Sequence, residues 1–345
     1  MEKIRVILWG LGAMGSGIAK ALLQRSNVEI VGVLKVTESH VGETLSAAIG
    51  EGQCDVRISN DPDAVLKPGA ADIVIISTAS FTESVRPQIE QAVQAGMNVI
   101  TIAEEMAYPA AQSPEAARAL DALAKEHGVT ILGTGINPGF VLDTLIITLT
   151  GVCLDVQSIQ ATRVNDLSEF GQMVMRTQGV GTTPEQFQAG IQDGSIVGHV
   201  GFPESLQMIA NALGWQLDEI VETKEPIISS VYRETPHVVI EPGMVAGCRH
   251  VAYGKQDGQI KITLEHPQQV RPELAGVETG DYIQITGTPG INLQIKPEIP
   301  GGIGTIAMAV NMIPHVCEAT PGLKTMPELR LPVALLPQAV IACQN

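Results

Sequence analysis

The chain has 345 residues, of which 45% are hydrophobic and 17% charged, and its net charge is -16 at pH 7. This composition predicts a compact globular protein with enough chain for about two domains. The excess of acidic residues argues against nucleic acid or an anionic membrane as a partner, because both select basic surfaces. We find no apolar run of the roughly 18 residues that a membrane span needs and no signal peptide, so we expect a cytoplasmic protein.

The cysteines indicate neither a disulfide framework nor a metal centre. They are five in number and lack the CxxC or Cys/His spacing of a zinc site, and the seven histidines are dispersed as well. We therefore expect buried free thiols and no bound metal. The five residues are Cys54, Cys153, Cys248, Cys317 and Cys343.

An apolar run followed by a glycine-rich turn stands near the start of the chain. Residues 4–9 read I-R-V-I-L-W, the turn G-L-G-A-M-G follows, and helix-forming residues come next. In such a turn Gly10 permits the tight bend, Gly12 lets the backbone approach a pyrophosphate, and Gly15 lets helix and strand pack closely. The helix N-terminus presents unpaired N–H groups to the phosphates. This strand–turn–helix pattern predicts a Rossmann unit that binds a dinucleotide.

Strand and helix patterns then alternate, which predicts an α/β fold with a doubly wound parallel sheet. The predicted strands are Ile4–Trp9, Val28–Leu34, Ile73–Thr78, Asn98–Ile102 and Val129–Leu132. The predicted helices are Ser16–Gln24, Ser84–Ala95 and Ser113–His127. In the last helix we expect Ser113 to cap the N-terminus and Pro114 to occupy the first turn.

From about Asp155 the pattern changes to short runs rich in β-branched residues, separated by Gly, Pro and Asp turns such as K-Q-D-G at 255–258. This pattern predicts a second, α+β domain with a mostly antiparallel sheet. Its predicted strands are Ser158–Val164, His237–Val245, Gln259–Glu265 and Tyr282–Gly287, and its predicted helices are Pro184–Gln192 and Pro203–Leu213.

The apolar helix Ile303–Met312, after a Pro-Gly-Gly break, is expected to return to the first domain. We therefore assign residues 1–140 and about 303–345 to the dinucleotide-binding domain. Residues 141–302 form the substrate-binding domain, whose sheet we expect to build a homodimer.

The residue at the end of the second strand bears on the choice of cofactor. Units that bind NAD carry an acidic residue there, roughly 20 residues past the last glycine, which takes the ribose hydroxyl. Here that position is Lys35, whose ammonium group would attract a 2′-phosphate, and Thr37 and Ser39 could add hydroxyl donors. The sequence therefore favours NADP and leaves use of NAD open. The alternative is that Lys35 points to solvent and contacts no cofactor.

Polar residues follow the next two strands, where a doubly wound sheet opens its ligand crevice. The stretch S-T-A-S at 77–80 ends one strand, and Glu104 and Glu105 end the next. A carboxylate beside the nicotinamide can move protons or stabilise a cation. We expect Glu104 to be that group, because Glu105 begins the following turn. The alternative is a pair of solvated glutamates.

A third feature is the loop G-T-G-I-N-P-G-F at 133–140. It can fold around the nicotinamide amide, or it can be an ordinary turn between domains.

These motifs together resemble the 2,4-diaminopentanoate dehydrogenases and the related native amine dehydrogenases, whose Rossmann unit is like that of dihydrodipicolinate reductase. The resemblance rests on the glycine turn, A-E-E-M-A-Y-P at 103–109, N-P-G-F at 137–140 and G-G-I-G-T at 301–305. It implies NAD(P)-dependent oxidative deamination of a small amine, such as 2,4-diaminopentanoate to 2-amino-4-oxopentanoate. The reverse reaction would be the reductive amination of a ketone with ammonia. Lys35 departs from the NAD-preferring relatives, which carry an acid.

The resemblance also implies roles for particular residues. Glu104 would be catalytic, and Arg163, Asn165, His266 and Thr305 would bind the substrate. Arg163 could clamp a substrate carboxylate and His266 could donate a second hydrogen bond. A structural ion pair and a packed histidine are the respective alternatives. The expected cofactor contacts are Gly10, Gly12, Ala13, Met14, Gly15, Lys35, Thr78, Ala79, Asn137 and Pro138.

Three rival interpretations remain. Dihydrodipicolinate reductase has a paired-histidine signature with a nearby lysine that this sequence lacks, and homoserine dehydrogenase expects a lysine after the strand that here supplies Glu104. A catalytically silent NADP-binding regulator would bind the cofactor without any amine-dependent change in absorbance. We interpret four further histidines as structural: His199, His237, His250 and His315.

Overall fold

The computed structural model describes residues 3–336, which form two compact units. The first unit comprises the chain up to Phe140 and again from Gly301, and the second is Val141–Pro300. None of the helices within the described range is long and apolar enough to cross a membrane.

The described residues of the first unit form a seven-stranded sheet with helices on both faces. Its strands are β1 (Ile4–Trp9), β2 (Val28–Leu34), β3 (Ile58–Ser59), β4 (Ile73–Ile76), β5 (Asn98–Thr101), β6 (Thr130–Gly133) and β15 (Gly322–Lys324). Its helices are α1 (Ala13–Leu23), α2 (Leu45–Ile49), α3 (Pro62–Val65), α4 (Thr82–Gln94), α5 (Pro114–Glu126), α10 (Gly301–Asn311) and α11 (Ile313–Cys317).

The strand order is β15-β6-β5-β4-β1-β2-β3, and the pairings between these strands are parallel. Successive residues of β1 face opposite layers: Val6 and Leu8 pack in the core layer that contains Met308 of α10, whereas Ile7 packs with Ile89 of α4. Strands buried on both faces are typical of parallel sheets. The predicted doubly wound Rossmann sheet is confirmed, and its strand order reverses between β1 and β4.

Two predictions at helix starts need correction. The first helix begins at Ala13, directly after the glycine turn, and not at Ser16. Pro114 does occupy the first turn of α5, but the side chain of Ser113 makes no capping hydrogen bond. The backbone of Ser113 (φ -127°, ψ 62°) lies outside the extended conformation that directs a capping side chain at the helix amides.

The second unit contains a six-stranded sheet, a short hairpin and four α-helices among its described residues. The strands are β7 (Asp155–Asp166), β8 (Glu219–Ile228), β9 (Arg233–Thr235), β10 (Val238–Ile240), β11 (Val245–Gln256), β12 (Gln259–Gln269), β13 (Gly280–Thr288) and β14 (Ile291–Ile295). The helices are α6 (Thr144–Thr150), α7 (Gln172–Thr177), α8 (Pro184–Asp193) and α9 (Phe202–Leu213).

The order of the larger sheet is β14-β13-β7-β12-β11-β8. The β7–β12 pairing is parallel, and the other pairings of this sheet are antiparallel. The expected mostly antiparallel sheet is therefore confirmed. Alternate residues of its strands, such as Ala161, Ala252 and Leu264, are buried on the face that α9 covers.

Several strands of the second unit differ from the sequence prediction, and β9, β14 and nearly all of β11 had no predicted counterpart. The predicted strand His237–Val245 is wrong, because a turn in which Met244 N–H bonds the Glu241 carbonyl separates β10 from β11. The two strands also belong to different sheets. Strand β8 was not predicted, because its charged residues hid the signal of Ile220, Val221 and Thr223. Charged side chains are typical of the edge strand that β8 proves to be.

The described cysteines are all free thiols, as expected, but they are not all buried. Cys248 is buried, and burial raises the pKa of its thiol to about 12. Cys54, Cys153 and Cys317 are partly exposed. Cys343 lies outside the described residues.

Candidate active site

The glycine turn between β1 and α1 has the geometry of a phosphate cradle. Gly10 has φ +108°, and a Cβ there would lie 2.7 Å from the Ser77 carbonyl oxygen at the end of β4. A Cβ on Gly15 would lie 2.1 Å from the Gly10 carbonyl oxygen, whereas one on Gly12 would meet nothing within 4 Å. Gly12 also precedes α1 without a side-chain cap. The open space beside uncapped helix amides fits the pyrophosphate of a dinucleotide.

The end of β2 carries a cationic group surrounded by hydroxyls. The Nζ of Lys35 donates to Ser39 Oγ at 2.6 Å, and Thr37 Oγ1 lies 3.0 Å from the same oxygen. The hydroxyls that the sequence analysis associated with Lys35 thus lie beside its ammonium group. Because β2 pairs in parallel with β1, this cluster lies at the carboxyl ends of the strands, where the glycine turn also lies.

Beyond β4 and β5 the chain forms two short segments that contact each other. Thr78 Oγ1 donates to Gln88 Oε1 of α4 at 2.5 Å. A 3-10 turn, Glu104–Ala107, follows β5, and the Glu105 N–H donates to the Ser80 carbonyl at 3.2 Å. This turn packs directly on β6, since a Cβ on Gly133 would lie 1.9 Å from the Met106 carbonyl oxygen.

The two consecutive glutamates of this turn have different environments. Glu105 Oε2 accepts a hydrogen bond from the Thr82 amide at 2.7 Å, at the first residue of α4. Glu104 is partly buried and contacts the Ser80 hydroxyl. Burial raises the pKa of the Glu104 carboxyl, and the charge of Glu105 adds to this, against the opposing hydrogen bonds from its own backbone and from Ser80. A carboxylate with a raised pKa can act as a general base near neutral pH.

The loop at 133–140 folds back on itself and is held by α10. Gly139 has φ +124°, and a Cβ there would lie 2.4 Å from the Gly135 nitrogen. The hydroxyl of Thr305, on α10, accepts a hydrogen bond from the Ile136 N–H at 3.2 Å. Thr305 therefore has a structural contact in the first unit, and its role toward a substrate remains a prediction. The same holds for the cofactor contacts of Asn137 and Pro138, which lie in this loop.

Arg163 on β7 of the second unit forms a buried ion pair. Its Nη1 lies 2.5 Å from Asp281 Oδ1 of β13, and Nη2 donates to the Ile299 carbonyl. Asp281 Oδ2 accepts from the Ile299 N–H at 2.9 Å. These contacts are those of a structural ion pair, and the carboxylate clamp remains a prediction.

Asn165 and His266 bring unsatisfied polar atoms into the same part of the second unit. Asn165 follows Arg163 on the same face of β7, and His266 lies on the neighbouring strand β12. Both side chains are buried, and within the described chain neither ring nitrogen of His266 nor Asn165 Oδ1 has a hydrogen-bond partner. Leaving a buried polar group unpaired costs about 1–3 kcal/mol, so such groups often mark ligand sites.

Two histidines that the sequence analysis interpreted as structural lie next to His266. The His199 and His266 ring centroids are 4.8 Å apart, edge to face, and Phe202 lies 4.7 Å from His199. His250 is directly opposite His266 in the β11–β12 register. The Asp257-Gly258 turn signalled a hairpin between β11 and β12, but the pairing of His250 with His266 also depends on the register shift between Gly254 and Lys255, which the sequence did not reveal.

The imidazoles of this cluster are held in the neutral form. Burial, together with smaller electrostatic contributions from His250 and Arg163, lowers the pKa of His199 to about 3. Burial also lowers the pKa of His266, with contributions from His199 and Arg163. Neutral imidazoles both donate and accept hydrogen bonds, so this cluster suits a polar ligand. Within residues 3–336 no group of three or more His, Cys, Asp or Glu side chains is arranged to hold a metal.

Comparison with known proteins agrees with these features. The model of the 2,4-diaminopentanoate dehydrogenase C-terminal domain matches residues 140–344, and that of the dihydrodipicolinate reductase N-terminus matches residues 4–103. The 2,4-diaminopentanoate dehydrogenase of Acetoanaerobium sticklandii is 49% identical over 340 residues, covering 97% of this chain and 96% of its own length.

More distant relatives match over nearly the whole chain. An amine dehydrogenase of Streptomyces virginiae is 25% identical over 342 residues, with 93% and 94% of the two chains covered. The solved amine dehydrogenase of Mycobacterium smegmatis superposes with a TM-score of 0.84 at 28% identity, over 96% of this chain and 97% of its own. The chain therefore belongs to the 2,4-diaminopentanoate dehydrogenase family and is an oxidoreductase of the amine dehydrogenase class.

Proposed function

We propose that this enzyme oxidatively deaminates a short diamino acid of the 2,4-diaminopentanoate type, giving 2-amino-4-oxopentanoate, and runs the reverse reductive amination with ammonia. The proposal rests on one observation: the Glu104 carboxyl has a raised pKa and follows β5, at the carboxyl ends of the strands where the glycine turn also lies. The name of the Acetoanaerobium relative supports the choice of substrate.

A bound nicotinamide cofactor would take the hydride from the substrate carbon that bears the reacting amine, and this oxidation would leave an iminium cation on the substrate. Glu104 stabilises that cation as a carboxylate and accepts a proton from the water that adds to it. Glu104 then returns this proton to the amine nitrogen, which leaves as ammonia, and takes up the hydroxyl proton as the carbonyl forms. Because Glu105 is occupied at the start of α4, we assign this chemistry to Glu104 alone.

In the second unit we propose that Asn165, His266 and Arg163 bind the polar end of the substrate. Asn165 Oδ1 and a His266 nitrogen can accept hydrogen bonds from an ammonium group, which would satisfy their unpaired atoms. The guanidinium N–H groups of Arg163 that are not directed at Asp281 or Ile299 can donate to a carboxylate. In the first unit, Thr305 holds the loop at 133–140 and with it the proposed nicotinamide contacts Asn137 and Pro138.

For the cofactor we propose NADP, with NAD as a weaker alternative. Gly10, Gly12 and Gly15, with Ala13 and Met14, would surround the pyrophosphate at the start of α1. The ammonium of Lys35 and its neighbouring hydroxyls would hold the 2′-phosphate. Thr78 and Ala79 would line the crevice beyond β4.

We further propose that the enzyme is a homodimer that pairs through the larger sheet of the second unit. The sheet face that bears Gln160, Thr263 and Tyr253 is partly exposed and mostly uncharged, whereas the alternating residues are buried. Light scattering coupled to gel filtration tests this, and a monomer at micromolar concentration would exclude it. The cytoplasmic location remains a prediction from the sequence.

The function is tested by following nicotinamide absorbance and ammonia release with NADP+ or NAD+ and matched substrates. 2,4-Diaminopentanoate and 4-aminopentanoate contain the reacting amine, whereas 2-aminopentanoate lacks it. We expect turnover with the first, weaker turnover with the second and none with the third. Cofactor binding without any amine- or ammonia-dependent change would instead identify a silent regulator.

A further inference from the structure

The side chain of His250 is buried and has a partner on each side of its ring. Its Nδ1 accepts a hydrogen bond from the His199 backbone N–H at 3.0 Å. Its Nε2 lies 2.8 Å from Glu222 Oε2 of the edge strand β8, although the N–H direction departs from the ideal line. Since Nδ1 must be an acceptor, the ring proton resides on Nε2 and faces the carboxylate. Glu222 thereby selects the tautomer that holds the His199 amide.

The segment that carries His199 is fixed from several directions. The N–H groups of Val197 and Gly198 both donate to the Thr177 carbonyl, at 3.0 and 3.1 Å. Gln178 Nε2 donates to the Gly198 carbonyl at 2.8 Å. Gly198 has φ +71°, and a Cβ there would lie 2.8 Å from His250 Nδ1. No side chain larger than glycine leaves room for this approach, so the segment is built against the His250 ring.

This arrangement bears on His266, whose ring nitrogens are unpaired within the described chain. With no hydrogen bond of its own there, the His266 ring depends on its packing neighbours for its orientation. One of these is the His199 ring, at 4.8 Å between centroids. A change in the position of His199 therefore changes where the His266 nitrogens point. Glu222 is about one-third exposed (32%) and can be replaced without opening the core.

We propose that Glu222, acting through His250 and the His199 segment, is a positioning residue that orients His266 toward the substrate. This role in substrate binding rests on the function proposed above, whereas the Glu222–His250–His199 coupling does not. Glu222 touches neither substrate nor cofactor in this proposal. It sets the tautomer of His250, whose Nδ1 holds the His199 backbone N–H, and the ring of His199 packs against His266.

The test compares Glu222→Ala, Glu222→Gln and the control Glu225→Ala. Glu225 lies on the same strand and forms an exposed ion pair with Arg249, so its loss reports the general effect of removing a β8 carboxylate. With saturating NADP+ we expect Glu222→Ala to raise KM for 2,4-diaminopentanoate on the order of tenfold, the equivalent of one lost hydrogen bond. The value of kcat should change much less. Glu222→Gln should restore KM, because its amide oxygen can accept the same proton.

Nitrogen NMR of enzyme labelled with ¹⁵N-histidine gives a readout that is independent of activity, and the tautomer of His250 is measured in the unaltered enzyme without any variant. We expect the Nε2–H tautomer for His250 in the unaltered enzyme, and shifted His266 ring signals in Glu222→Ala but not in Glu225→Ala. An Nδ1–H tautomer for His250, or unchanged His266 signals in a folded Glu222→Ala, would overturn the proposal. Normal NMR behaviour in an enzyme without amine turnover would instead refute the proposed function and leave the coupling established.

Discussion

The Glu105 carboxylate accepts the amide N–H of Thr82 at 2.7 Å and so caps α4 from a neighbouring segment of the chain. The residue at the N-cap position itself, Phe81, has no side chain that can do this. Glu105 thus stabilises the start of α4, whereas the adjacent Glu104 has a carboxyl with a raised pKa and lies just beyond the carboxyl end of β5. Their different environments predict different consequences of the same substitution.

Glu104→Gln should abolish amine turnover while leaving cofactor binding intact. Removing a general base typically lowers the rate about 10²–10⁴-fold, and a neutral amide cannot stabilise the iminium cation as a carboxylate does. Steady-state rates and a fluorescence titration with NADPH measure the two effects. Glu105→Gln is the matched control, because its amide oxygen can still accept the Thr82 N–H. Near-normal deamination by Glu104→Gln would refute the assignment.

The raised pKa of Glu104 also predicts a pH-dependent stability. A carboxyl whose pKa is raised by folding supports the native state below its unfolded-state pKa and loses that contribution as the pH rises through the folded value. Glu104→Gln should therefore match the unaltered enzyme in acid and exceed its free energy of unfolding at neutral pH. Denaturant titrations across a pH series measure this difference.

Glu185 at the start of α8 provides a control of opposite sign. Hydrogen bonds from its own backbone N–H and from Thr183 hold the pKa of Glu185 below its usual value. That contribution is present above the unfolded-state pKa and is lost as the pH falls. Glu185→Gln should therefore be less stable than the unaltered enzyme at neutral pH and equal to it in acid. The same sign for both variants would contradict the argument.

Gly12→Ala should weaken cofactor binding without harming the fold. The backbone there (φ -80°, ψ -164°) suits alanine, and the new Cβ would meet no protein atom within 4 Å, but it would enter the space proposed for the pyrophosphate. We expect unfolding free energy to stay within about 1 kcal/mol and the NADP+ Kd to rise. Gly15→Ala is the contrast, because its Cβ would lie 2.1 Å from the Gly10 carbonyl oxygen and destabilise the fold. Unchanged affinity in Gly12→Ala would argue against the cradle.

Lys35→Ala should lower kcat/KM for NADP+ and leave that for NAD+ almost unchanged. Loss of a hydrogen bond to a charged group costs about 1.5–3 kcal/mol, or roughly 10- to 150-fold. Lys20→Ala, which removes an exposed ion pair with Glu51, is the control. Equal losses with both cofactors, or a strong preference of the unaltered enzyme for NAD+, would contradict the assignment of the 2′-phosphate to Lys35.

Arg163 should affect both stability and substrate choice. Arg163→Met leaves Asp281 buried without its partner, which costs about 3–5 kcal/mol, and adding Asp281→Asn should recover part of that loss. In the more stable double variant, KM for a carboxylated amine should rise far more than KM for a plain alkyl amine. Equal increases would show that the guanidinium serves the fold and does not bind the substrate.

The sequence alone was sufficient for the glycine turn and for the strands β1, β2, β4, β5 and β6 of the first unit, but not for its short elements α2, β3, α3, α11 and β15. The bounds of β1 and β2 agree with the prediction, because both are apolar runs that end at glycine or lysine. The spacing of apolar residues and the residue types of a turn are local properties, so they predict an element without knowledge of any distant contact. The same holds for Glu104, whose place after a buried strand marked it as a candidate.

Tertiary structure decided the features that depend on residues far apart in the chain. The capping of α4 by Glu105, the Arg163–Asp281 ion pair and the packing of His199 against His266 join segments separated by 23, 118 and 67 positions. No local pattern encodes such a pairing, because a side chain's partner is set by strand order and register. Ser113 makes the same point at short range, since its backbone conformation, and not its residue type, prevented the expected cap.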